Sequence, residues 1–278
     1  MPKWIFIGLT IGGIFQSLLG FFQFISHKSL GFYFLGESFL SPLNNNLARS
    51  FISGGRLLRA YGTFPHPNAL AAFLILSLLS IYFLYDRKFI VLFSVLIFIN
   101  WLGLILTFSR SGWIVGVLAS IVFLFLNFNK SLFFIISTTI VVLFLIFNWI
   151  ILPRADLNYQ NFSIQSRLSD YQLAWQKIKE KPWFGYGLTL AMGERPIHSL
   201  YLTIAVEVGL VGLFAFLSFA TYLLIGSLAN KEVQILKIMF SALLALGFFD
   251  HFLWTLRPGL AMFWLVAGFL FTNRVLRK

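Results

Sequence analysis

The chain contains no cysteine, and only 9 of its 278 residues are Asp or Glu; all four charged types together make up 11%. Without cysteine there is no disulfide framework and no thiolate metal site. An ordinary soluble domain carries about 25% charged residues, so a water-exposed globule is excluded. Disorder needs low hydrophobicity, whereas 59% of this chain is hydrophobic and 19% aromatic. A phosphate-cradling GxxxxGKS/T loop is absent, as is a helical HExxH spacing, so neither cytoplasmic ATP use nor a zinc centre is indicated. The class that survives is an all-α polytopic integral membrane protein.

The long apolar runs that are present agree. A bilayer core about 30 Å thick needs about 20 apolar residues per helix. About eight charge-poor stretches answer to this, at 4–25, 69–85, 89–108, 112–128, 132–152, 200–228, 235–249 and 259–272. Glu207 interrupts the sixth, and the seventh is the shortest. The first exceeds a signal-peptide core and has no small-residue cleavage site, so it is expected to be a retained helix. Residues 1–278 then form a single membrane domain. Its two long loops, 26–68 and 153–199, fall on the same side by parity.

The 21 Lys and Arg residues give a net charge of +12 and set the orientation. Nine lie in tails and turns on the side of the N-terminus, against Arg110 and Arg257 in the short turns opposite. The positive-inside rule therefore predicts both termini in the cytoplasm and both long loops outside. The remaining ten cations sit in those long loops, where that rule gives no reason for them. Long loops translocate regardless of charge, so a tolerated excess is one reading. An anionic ligand held on the outer face is the sharper one.

Within the second long loop, Ile164, Leu168, Tyr171, Trp175 and Ile178 recur at helical spacing, with Asp170, Lys177, Glu180 and Lys181 off that stripe. This predicts an extracytoplasmic amphipathic helix on the membrane surface, with Trp175 and Trp183 at headgroup depth. Pro182 ends it, and Gly185 and Gly187 permit the turn that follows.

Four histidines, His27, His66, His198 and His251, fall at outer boundaries in this topology. His66 lies between two prolines and is expected to be structural. Arg110, in the turn Ser109-Arg110-Ser111-Gly112-Trp113, and Glu207, inside an apolar stretch, are polar groups where lipid makes them costly. Asp250 and His251 add a carboxylate and an imidazole near the same surface.

Four strings stand in order along the chain: Arg59-Ala60-Tyr61-Gly62-Thr63-Phe64-Pro65-His66-Pro67-Asn68; the Arg110 turn; Arg167 opening a helix that ends Pro182-Trp183-Phe184-Gly185-Tyr186-Gly187; and His198-Ser199-Leu200-Tyr201-Leu202 with Glu207-Val208-Gly209-Leu210-Val211-Gly212. From about residue 50 onward this resembles the O-antigen ligase and polymerase-like family. The family usually carries Asn where this chain has Ser199, and its members commonly have more spans. The resemblance implies a bacterial inner-membrane glycosyltransferase of cell-envelope polysaccharide or lipopolysaccharide synthesis. It would use an undecaprenyl-diphosphate-linked glycan as donor, on the extracytoplasmic face, with no metal, cofactor or nucleic acid. It also implies His198 as the catalytic histidine and Arg110, Arg167 and Arg59 as the arginines that hold the donor diphosphate. Glu207 and Asp250 would stand in support.

The residue types suit that chemistry. A histidine serves as base for an acceptor hydroxyl near neutral pH, and a guanidinium fork grips phosphate oxygens while staying charged. The acceptor remains open between lipid A core, another glycan repeat, a protein, and the cell wall of a bacterium without an outer membrane, and with it the choice of ligase, polymerase or protein O-oligosaccharyltransferase. A non-catalytic assembly or anchoring protein, which has no need of outward arginines beside a histidine, is one alternative class, and a polyprenyl-glycan flippase or transporter is the other. The latter would more often show inverted repeats or broken helices in matched halves, which the sequence does not display.

Overall fold

The computed structural model describes residues 3–41, 49–52, 55–155, 162–188, 197–226 and 230–275. Arg195, Arg277 and Lys278 lie outside them, as do the side chains of Arg49, Arg56, Arg154 and Ile164. The described chain is almost wholly helical: α1 (Trp4–Ser26), α2 (Pro67–Leu84), α3 (Ile90–Leu106), α4 (Arg110–Leu126), α5 (Lys130–Ala155), α6 (Phe162–Glu180), α7 (Leu200–Glu207), α8 (Gly209–Leu224), α9 (Lys231–Gly247), α10 (Phe252–Thr255) and α11 (Arg257–Val275). Four segments, Trp4–Ser26, Pro67–Leu84, Arg87–Leu106 and Lys130–Trp149, are long and apolar enough to cross a membrane, and Arg110–Leu126 and Gly209–Leu224 are shorter apolar helices. The fold is that of an all-α membrane protein.

Two departures from the sequence expectation stand out. Strands Arg49–Ile52 and Gly55–Leu58 pair antiparallel as a small hairpin inside the 26–68 loop. The expected single span at 200–228 is two helices, broken at Val208.

The chain divides into two compact units, Met1–Asp156 with Asn230–Ala242 and Leu157–Ala229 with Leu243–Lys278. In the first, α2 is buried on nearly every face and packs against α1, α3 and α4. The inward face of α1 carries Thr10, Gly13, Gln16, Ser17, Gly20 and Gln23, while Ile11, Phe22 and Ile25 are exposed. This inversion is what lipid dictates: tails are as apolar as leucine, so small and polar residues mark helix contacts. Some buried polar groups pair across helices, the Trp101 indole N–H donating to Tyr82 Oη at 3.0 Å and Tyr82 meeting Ser120 Oγ at 3.2 Å.

In the second unit α6 and α8 pack against α7, with α10 against α7 and α11 against α8. The buried face of α6 is Asp170, Ala174 and Ile178, and Ala174 and Ile178 pack with Ile197, Ala205 and Val206. Trp175, a member of the expected apolar stripe, is 58% exposed.

Candidate functional site

In the first unit, Gln23 and Gln16 of α1 clamp the segment that follows Arg59. Gln23 Oε1 accepts from the N–H groups of Tyr61 and Gly62 at 3.1 and 2.8 Å, and Gln16 Oε1 accepts from Thr63 N–H at 2.8 Å. His66 caps α2, its Nδ1 accepting from Asn68 N–H at 3.2 Å, which is the structural role expected of it. Arg59 is 6% exposed; its Nε donates to the Thr107 carbonyl at 2.7 Å and its Nη2 to Asn68 Oδ1 at 2.8 Å. Arg110 is the first residue of α4, behind the N-cap Ser109, whose hydroxyl accepts from Gly112 N–H at 3.2 Å. Phe108 before it holds φ of 51°, a region that costs a bulky residue about 1–2 kcal/mol. Its ring is fully buried against Phe24, Leu57 and Phe147, which holds it there.

The second unit is assembled on a reciprocal junction of helix ends. The N–H groups of Tyr186 and Gly187 donate to the Val206 and Glu207 carbonyls at 3.0 and 2.9 Å, and those of Leu210 and Val211 donate to the Pro182 and Trp183 carbonyls at 2.8 and 3.3 Å. The orphan carbonyls ending α7 and orphan amides opening α8 are thus met by the turn after α6. Glycine is required on both sides. Gly185 and Gly209 hold φ of +65° and +77°, and a Cβ on either would fall 2.5 Å from the Val206 oxygen or 2.1 Å from the Trp183 oxygen. The Pro182–Gly187 string and the Glu207–Gly212 string therefore fit one another.

That junction sets α6 beside the start of α7, where His198 lies. His198 Nδ1 is 2.7 Å from Asp170 Oδ2, with the imidazole 31% exposed and the carboxylate 5%. Ser199 caps α7 through Leu202 N–H at 3.5 Å. The His251 ring stands edge-on to that of His198 at 5.9 Å between centroids. His251 Nδ1 meets Thr255 Oγ1 at 2.5 Å, and its backbone N–H donates to Asp250 Oδ1 at 2.7 Å. Burial pushes the His251 imidazole below the usual histidine range; Asp250 opposes this, and His198 reinforces it. Glu207 ends α7, buried, and its Oε2 accepts from the Trp254 indole N–H at 2.7 Å. Arg167 lies one helical turn before Asp170. It also bears on Tyr171, whose phenol is raised by burial and by Asp170 while Arg167 lowers it.

Of the residues singled out by sequence, His198, Asp250, Glu207 and Arg167 belong to the second unit and Arg59 and Arg110 to the first. Asp170, the carboxylate against His198, is not among them, because in the sequence it shows only as a polar residue off the apolar stripe of its helix. The Thr255 and Trp254 contacts also escape sequence reasoning, and no spacing rule marks them. Among the described residues, no group of three or more His, Asp and Glu side chains is arranged to hold a metal ion.

No curated protein matches the chain. Residues 93–217, from α3 into α8 and including Arg110, Arg167, Asp170, His198 and Glu207, match the family model described as O-antigen ligase. Over that stretch, and in the order of the motifs it spans, the chain is similar to the O-antigen ligase family.

Proposed function

We propose that this protein is a membrane glycosyltransferase that moves a glycan from an undecaprenyl-diphosphate donor to an acceptor hydroxyl, on the extracytoplasmic face of the bacterial inner membrane. The observation that carries the reading is the pair His198 and Asp170, 2.7 Å apart. A carboxylate at Nδ1 keeps the ring proton there and leaves the Nε2 lone pair available, the arrangement a general base needs. The acceptor oxygen attacks the anomeric carbon as its proton passes to Nε2, and the bond from that carbon to the diphosphate oxygen breaks. The leaving oxygen keeps the electron pair, polyprenyl diphosphate departs, and the single displacement inverts the anomeric centre. The imidazolium then returns its proton to water.

Charge that develops on the leaving diphosphate needs fixed counter-charge, and such preorganised electrostatic stabilisation is often what lowers a barrier most. We assign this to Arg167, which shares its unit with His198, and take Arg110 of the first unit as a further candidate from the family resemblance alone, since a guanidinium fork matches phosphate oxygens; the reaction so written calls on no cofactor. Ligase, polymerase and protein O-oligosaccharyltransferase variants share these steps and differ in the acceptor. The test is glycan transfer by His198→Ala in reconstituted membranes. Transfer is expected to fall by about 10²–10⁴-fold, the span of general-base catalysis, and full transfer would overturn the assignment.

A further inference from the structure

Among the three arginines that the family resemblance sets on the diphosphate, Arg59 is built differently. Its guanidinium is turned into the first unit, 6% exposed, with Nε on the Thr107 carbonyl at 2.7 Å and Nη2 on Asn68 Oδ1 at 2.8 Å. The next residue repeats the tie through the backbone, Ala60 N–H donating to the Leu106 carbonyl at 2.8 Å. Leu106 and Thr107 end α3, where the last carbonyls of a helix have no partner within it. Asn68 stands in the first turn of α2. One planar group therefore fastens the end of α3 to the start of α2.

Three residues later comes Arg110. The link Thr107-Phe108-Ser109 is held tightly: Thr107 Oγ1 donates to the Leu104 carbonyl at 2.6 Å and accepts from Ser109 N–H at 3.3 Å. Phe108 takes its left-handed backbone, and the Trp113 indole N–H reaches back to the Leu104 carbonyl at 3.1 Å. A left-handed phenylalanine persists only where its surroundings fix it. Arg59 supplies part of that fixation from behind.

We propose that Arg59 is a positioning residue for Arg110, setting the corner that presents it, and not itself a ligand of the anionic donor. The proposal rests on the role assigned to Arg110. A lysine at 59 keeps the charge but has no fork to span Thr107 and Asn68.

The experiment compares Arg59→Lys, Arg110→Lys and the double variant in proteoliposomes, with backbone amide exchange followed over residues 105–112 in the protein without donor. Exchange in that segment is expected to quicken about tenfold in Arg59→Lys, as for loss of a charge-assisted hydrogen bond. The donor KM is expected to rise about tenfold with kcat within about twofold, and the rise should vanish in the Arg110→Lys background, because coupled sites do not add. Asn68→Ala, which leaves the arginine in place and removes one partner, should quicken exchange in the same segment and serves if Arg59→Lys does not fold. Unchanged exchange in either variant overturns the proposal, and so do KM effects that multiply in the double variant, which would place Arg59 on the ligand. Should the wild-type protein turn over no donor, the functional reading fails, and the exchange measurement still decides whether Arg59 holds the corner.

Discussion

Replacing Asp170 with Asn keeps the side chain's shape and removes the charge that His198 meets at 2.7 Å. The asparagine amide can donate to Nδ1 and drive the ring proton to Nε2, leaving no lone pair where the acceptor's proton must go. Because the carboxylate is only 5% exposed, water does not dilute its hold on the ring. The loss should approach that of the base itself, about 10²–10⁴-fold in kcat, or about 2.7–5.5 kcal/mol of activation free energy. Stability should change far less: a charge-assisted hydrogen bond contributes about 1.5–3 kcal/mol net, and Asn retains a neutral one worth about 1 kcal/mol. The assay is single-turnover transfer from a polyprenyl-diphosphate glycan in proteoliposomes, beside a thermal unfolding curve of the same preparation. The double variant with His198→Ala should be no slower than His198→Ala alone, since groups that act as a unit do not add. A kcat within about twofold of wild type, against the large loss expected of a general base's partner, would refute the argument from tautomer and orientation.

Arg110→Lys keeps the charge and loses the fork, so donor KM is expected to rise about tenfold; a wild-type KM would make Arg110 a membrane anchor only. Gly209→Ala forces a side chain onto a positive φ and against the Trp183 oxygen, and should lower stability by about 1–3 kcal/mol in thermal unfolding, with Gly185→Ala alike. His251 is held below the ordinary histidine value of 6.5 by burial, so the unfolded chain binds its proton more readily. Its contribution is therefore fully present above about pH 6.5 and is lost as pH falls from there through the folded value. The difference in unfolding temperature between wild type and His251→Gln should shrink across that acid window, and a difference independent of pH would contradict this.

Helix positions were legible from hydropathy because each apolar stretch had to be helical, and α6 was legible from its period. Which face of a helix is buried was not. In α1 the inward residues include Gly13, Gln16, Ser17, Gly20 and Gln23 beside Phe6 and Leu19; in α6 they include Asp170, while Trp175 stays outside. Hydrophobicity marks burial only where the alternative is water, and for this protein the alternative is largely lipid. The same ambiguity hid the break at Val208: the stretch 200–228 is apolar on both sides of Glu207, and the partner turn at Pro182–Gly187 makes the interruption favourable. His198 could be picked out because it sits at a boundary among recurring strings. Asp170 could not, since nothing local in the sequence links it to a histidine 28 residues away.

Transferase activity is decided by giving the purified protein, in proteoliposomes, a polyprenyl-diphosphate glycan with an acceptor glycan and measuring released polyprenyl diphosphate together with the glycosylated acceptor. Both products are expected in equal amounts, with inverted anomeric configuration, and both should be lost in His198→Ala. Movement of intact donor between leaflets without either product would make the protein a flippase, and binding with neither would make it a scaffold; either result rules out glycan transfer by this protein.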